Sequence, residues 1–139
     1  MTPLRWVAMW LCAMCGVTGC ASAQKDTMIA ELGLAKGVSI GYRTIDGVDK
    51  VKTDKIHAEI QAGEVVKAET EYKAYKVVMD KARAALAAGE DVLEASDKAR
   101  DAATKGVAAW QEFTAYMPEL LIAAGKIQQA IADLKGLGL

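Results

Sequence analysis

The sequence predicts an all-α protein, and three observations predict it. Alanine is abundant, asparagine is absent, and Pro118 is the only proline after Pro3, so residues that favour helix dominate. Apolar residues recur at spacings of three, four and seven, the period of a helix face rather than the alternation of a strand. Few β-branched or aromatic residues alternate with polar ones over the four to eight positions a strand needs. The expected architecture is an elongated three-helix bundle, or a long helical hairpin with a third helix kinked near Pro118, packed in coiled-coil fashion.

The chain opens with Arg5, a positive residue, ahead of the uncharged apolar run Trp6 to Val17. That run has the length of a secretory h-region and is short for a permanent membrane span. It ends in Val17-Thr18-Gly19-Cys20: an aliphatic residue, a small one, glycine and cysteine. This stretch resembles the lipobox of bacterial lipoproteins with a signal-peptidase-II type signal. The resemblance covers the first twenty residues and no family for the remainder. It implies a diacylglycerol on the Cys20 thiol, cleavage before Cys20 and acylation of the new amino terminus. Ala21, where an aspartate would retain such proteins at the inner membrane, implies passage to the outer membrane, facing the periplasm. One acyl chain binds a bilayer marginally; three on one residue anchor it in effect permanently.

The expected division is a signal peptide over 1–19, a lipidated Cys20 with a short polar tether over 20–25, and a helical bundle over 26–139. The bundle and tether amount to one domain, long enough to bury a core. Cys12 and Cys15 have a Cys-x-x-Cys spacing but fall in the discarded run. With Cys20 acylated, the mature chain has no free thiol and no disulfide, and its stability has to come from packing.

The first bundle helix is expected from about Asp26 to Gln61, capped by Asp26 or Thr27, with Glu31 in an early turn and Gly63 as the stop. Ile29, Gly33, Gly37, Ile40, Thr44, Val48 and Val51 recur three and four apart and are read as its packed stripe. Within it, Gly33, Gly37 and Gly41 form a helix-packing glycine motif. Small residues four apart let a second helix approach closely, and the charges Glu31, Lys36, Arg43 and Asp46 in and around the stretch favour a soluble crossing over a bilayer one.

The second helix starts near Glu64. Val65, Tyr72, Met79, Leu86 and Leu93 fall seven apart, and Ala68, Tyr75, Ala82 and Gly89 fill the companion seam. Tyr72 and Tyr75 are read as core residues whose hydroxyls reach the edge. In the third segment Ala103, Trp110, Met117, Ala124 and Ile131 form one seam and Gly106, Phe113, Leu120, Ile127 and Leu134 the other. The register shifts by ten residues between Leu93 and Ala103, so a break falls between the segments. Ser96-Asp97 is the preferred break, with Gly89-Glu90-Asp91 and Lys105-Gly106 as rivals. Pro118 breaks or kinks the last helix, or opens a new one. Val107 to Leu139 is poor in charge and is expected to run through the bundle covered on both sides; the alternative is one face buried in the bundle and the other offered to a partner or to lipid.

The balance of 17 basic and 18 acidic residues gives no field that would gather nucleic acid. The lysines 50, 52 and 55 make a small basic spot, too weak for that purpose. His57, the only histidine, stands in no zinc-helix spacing. No nucleophile elbow, phosphate loop or isolated carboxylate pair is present, so neither an enzyme, a cofactor nor a small-molecule substrate is expected. The expected role is a non-catalytic structural or protein-interaction module of the cell envelope, held by membrane lipid through Cys20. Its apolar helix faces would meet an envelope protein or a second copy. The alternative is a membrane-active factor, of phage or toxin type, that inserts its glycine-rich or apolar helix. Helical murein-bound lipoproteins end in a wall-linked lysine. This chain ends Gly-Leu-Gly-Leu, and covalent wall attachment is not expected.

Overall fold

In a computed structural model, which describes the backbone of residues 4–137 and the side chains of residues 21–137, every regular element is helical. Helix α1 spans Leu4–Gln61, α2 Val65–Thr104, α3 Trp110–Thr114 and α4 Met117–Lys135. Gly63, at φ +82°, terminates α1 as expected and turns the chain straight into α2. The two helices form an antiparallel hairpin, and α4 packs along both of them.

The break between the second and third segments lies at Lys105-Gly106, where Gly106 takes φ +72°. Ser96-Asp97, the preferred position, is inside α2. Ser96 is fully buried, and its hydroxyl reaches Glu31 Oε1 at 3.0 Å and the Leu93 carbonyl at 3.1 Å. A residue chosen as a cap for its hydroxyl serves instead as a cross-helix donor. At the other break, the chain turns through Ala115 and Tyr116, and Pro118 sits in the first turn of α4. Proline is tolerated there because the first-turn N–H groups have no intrahelical partner. The segment is thus divided before Pro118 rather than bent at it.

The packed stripe of α1 differs from the expected one. Thr27, Leu34, Val38, Gly41, Ile45 and Val48 face inward, while Ile29, Ile40 and Val51 are exposed. The inward set advances by alternating threes and fours, the heptad step that keeps a helix on its partners' seam. Ile29, Ile40 and Val51 are eleven apart and share a different face. Thr27 does not cap: its hydroxyl donates to the Ala23 carbonyl at 2.7 Å, one turn back in the same helix. Residues 21–25, expected as a short polar tether, belong to α1.

The α2 seam of Ala68, Tyr75, Ala82 and Gly89 is buried and continues through Ser96 and Ala103. The core joins Leu34, Val38, Ile45 and Val48 of α1 to Met79 and Leu86 of α2 and to Leu120, Ile127 and Leu134 of α4. Phe113 of α3 is fully buried and Trp110 meets it edge-on, ring centroids 6.0 Å apart. Helix α4 buries one face only; Leu121 and Ile122 are exposed, so the segment is not covered on both sides.

Candidate functional site

Helix α4 is shorter than the hairpin it packs on. Ile127, near its middle, is the neighbour of both Gly37 and Gly89. From that level α4 continues eight residues to Lys135, about 12 Å, whereas α1 continues to Gln61, about 36 Å. The last third of the hairpin therefore projects beyond the third helix as two helices alone.

The consequence appears at equivalent heptad positions. Met79 and Leu86 are each 1 % exposed; Tyr72 and Val65, continuing the same seam toward the tip, are 49 % and 57 % exposed. Between the helices the tip holds an open groove of about 480 Å³, walled by Ile56, His57 and Ile60 of α1 and Val65, Tyr72 and Tyr75 of α2. Ala68, buried between the two helices, also lines it. Tyr72 and Tyr75 pack at a tilt, centroids 6.4 Å apart. The expectation that both would be core residues holds for Tyr75 alone. Its hydroxyl donates to Asp49, and burial, reinforced by that carboxylate, pushes its pKa up to about 12. Ile56, Ile60 and Val65 were not singled out in the sequence as a surface, because heptad spacing marks seam positions without saying where the covering helix ends.

Ion pairs join the two helices at the tip. Buried Glu59 lies 3.1 Å from Lys67 Nζ and 3.9 Å from Lys55 Nζ, and Lys55 also reaches Glu71 at 2.8 Å. Lys67 pairs in addition with Glu64 at 2.9 Å. The Lys55 ammonium draws the Glu71 carboxyl below its ordinary pKa, while Glu64 and Glu59 raise that of Lys67. Two of the lysines that could have formed a basic spot are unlike in this respect: Lys55 is engaged with acids, Lys50 is exposed.

The glycine motif is spread over three environments. A methyl group at Gly41 would collide with Leu86, one at Gly37 would touch Ile127 at 3.7 Å, and one at Gly33 would meet open space. The close crossing is thus at Gly41, together with Gly89 of α2, rather than along all three. The side chains of Val17, Thr18 and Cys20, and the backbone position Gly19 between them, lie outside the residues whose side chains are described. Among the described residues no group of three or more His, Cys, Asp or Glu is placed to hold a metal, and no helix is long and apolar enough to cross a membrane. Compared with protein families, curated proteins and solved structures, the chain shows no match.

Proposed function

We propose that the protein is a lipid-anchored, non-catalytic interaction module of the bacterial envelope, carried by acylated Cys20 on the periplasmic side of the outer membrane. Its working surface is the apolar groove at the hairpin tip. The observation that carries this reading is the exposure of Val65 and Tyr72 on a seam that elsewhere is fully buried. Apolar side chains of an envelope protein, entering the groove, complete the packing that α4 leaves open. The geometry suits presentation: α1 runs from Ala21 to Gln61 as one helix of about 60 Å, with the anchor at one end and the groove at the other.

Two experiments test the two halves. For the anchor, intact mass and membrane fractionation are compared for wild type and Cys20→Ser. Loss of residues 1–19 with added acyl mass in the wild type alone supports it; an unprocessed wild type overturns it. For the groove, a photo-crosslinking residue is placed at Tyr72 and, as control, at exposed Lys98. A discrete adduct in living cells from position 72 and not from 98 is expected. Equal or absent adducts remove the groove from consideration. Dye release from liposomes examines the alternative, membrane-active role, for which rapid leakage is required.

A further inference from the structure

We infer that the bend joining α2 to α3 is a membrane-seating surface, with Val107 and Trp110 entering the interfacial layer of the bilayer that holds Cys20. This rests on the lipid-anchor reading of Cys20.

The position of the bend follows from one cross-helix contact. Glu31 of α1 accepts a hydrogen bond from Ser96 and pairs with Arg100 Nε at 3.0 Å, which sets these two helices level with each other at that point. From Ser96, α2 runs eight residues further to Thr104, about 12 Å. In the same direction α1 runs back ten residues from Glu31 to Ala21, about 15 Å. The bend at 105–109 is therefore level with Ala21, whose covalent neighbour is Cys20. An acyl anchor on Cys20 brings the bilayer surface to this end of the bundle and no other.

What the bend offers there is apolar. Gly106 to Gln111 is Gly-Val-Ala-Ala-Trp-Gln, without a charge. Val107 is 80 % exposed, and the left-handed φ of Gly106 turns the chain that presents it. A single exposed valine is ordinary on a protein surface. This one precedes by three residues a half-buried tryptophan that packs against Phe113, and tryptophan is a residue of membrane–water interfaces, apolar in body and polar at one edge. Lys25 and Asp26 of α1 are exposed about one turn from Ala21, at headgroup depth, while the charges next to the bend in the chain are turned or paired away from it. Lys105 is paired with Asp101 at 2.7 Å. Glu112 is two residues past Trp110, about 200° around the short helix. Leu32 and Ile29, also exposed, continue the apolar character down α1 from the same end.

Trp110 is the only tryptophan after residue 20, so its emission reports the bend alone in the processed protein. The test uses the full chain, expressed, processed and reconstituted into phosphatidylcholine vesicles carrying bromine at a shallow acyl position. Expected is a blue-shifted emission, quenched at least twofold by the brominated lipid and protected from aqueous iodide. Val107→Asp should abolish most of that quenching with acylation and membrane fractionation unchanged, and Val107→Leu should retain it. An acylated protein whose Trp110 ignores bromolipid and is open to iodide overturns the seating while the anchor stands. A mass that retains residues 1–19 without acyl chains overturns the anchor and the seating together.

Discussion

Replacing Gly33, Gly37 and Gly41 one at a time with alanine separates helix propensity from packing, because the three changes are chemically identical. In a helix interior, Gly→Ala gains about 1 kcal/mol from propensity alone. At Gly33 the added methyl meets open space, so that gain is expected in full. At Gly37 the methyl rests against Ile127 Cγ2 at 3.7 Å, ordinary contact, and the same gain is expected. At Gly41 the methyl runs into Leu86, with Cδ1 and the branch carbon Cγ both at 3.3 Å and Cδ2 closer. Leu86 is fully buried and cannot escape by swinging its tip, since its branch point is also in the way. Overpacking of this kind costs about 1–3 kcal/mol. Propensity cancels in the comparison, so Gly41→Ala should be less stable than Gly33→Ala by about 1–3 kcal/mol. Urea unfolding followed by far-ultraviolet circular dichroism measures it, with an unchanged m-value as the check that the unfolded state is the same. Equal midpoints for the two variants would refute the close crossing at Gly41.

Further expectations concern the seam, the clamp and the tip. Met79→Ala should cost about 2–4 kcal/mol, as for a buried side chain, whereas Tyr72→Ala at the equivalent position should cost about 1 kcal/mol or less; comparable losses would contradict a groove open to solvent. Ser96→Ala removes the donor that faces Glu31 in a buried setting and should cost about 1–2 kcal/mol by denaturant titration. Tyr75 has a folded pKa above its unfolded one, so the proton it retains stabilises the fold fully below pH 10. That contribution is lost as pH rises from about 10 to 12, and the alkaline loss should be shallower in Tyr75→Phe. Glu71 has the opposite sign: its folded pKa is depressed, so its contribution is present at neutral pH and lost as pH falls below the ordinary carboxylate range. Glu71→Gln should flatten the acid side of the stability profile without changing the alkaline side.

The helical class was legible because composition, the seven-residue spacing and the turn at Gly63 all point the same way. So were the α2 seam through Tyr75, Ala82 and Gly89 and the later seam through Phe113, Leu120, Ile127 and Leu134. The face of α1 was not, because counting glycine as a stripe residue joined Gly33 and Gly37 to Ile29 and Ile40. Spacing held the correction: Thr27, Gly41 and Val48 lie on a seven-residue ladder with Leu34, whereas Ile29, Ile40 and Val51 step by eleven and drift away from a heptad partner. Ser96 could not be placed from its neighbours, since its partner Glu31 is 65 residues away. The groove was hidden for a similar reason. Val65 and Tyr72 look like Met79 and Leu86 in sequence, and only the length of α4 distinguishes them.

The absence of any break in α1 between Ala21 and Gln61 has a mechanical meaning. A flexible linker would let the tip wander and would decouple it from the base. An uninterrupted helix braced by α2 and α4 behaves as a lever that pivots at its Ala21 end. Over a length of about 60 Å, a 20° tilt at the base moves the tip sideways by about 20 Å and lowers it by only about 4 Å. For a chain held at Cys20, small rotations at the bilayer become large lateral searches at nearly constant height. A partner at that height is then met by swinging rather than by stretching, and anything that stiffens the base narrows the circle the tip can reach.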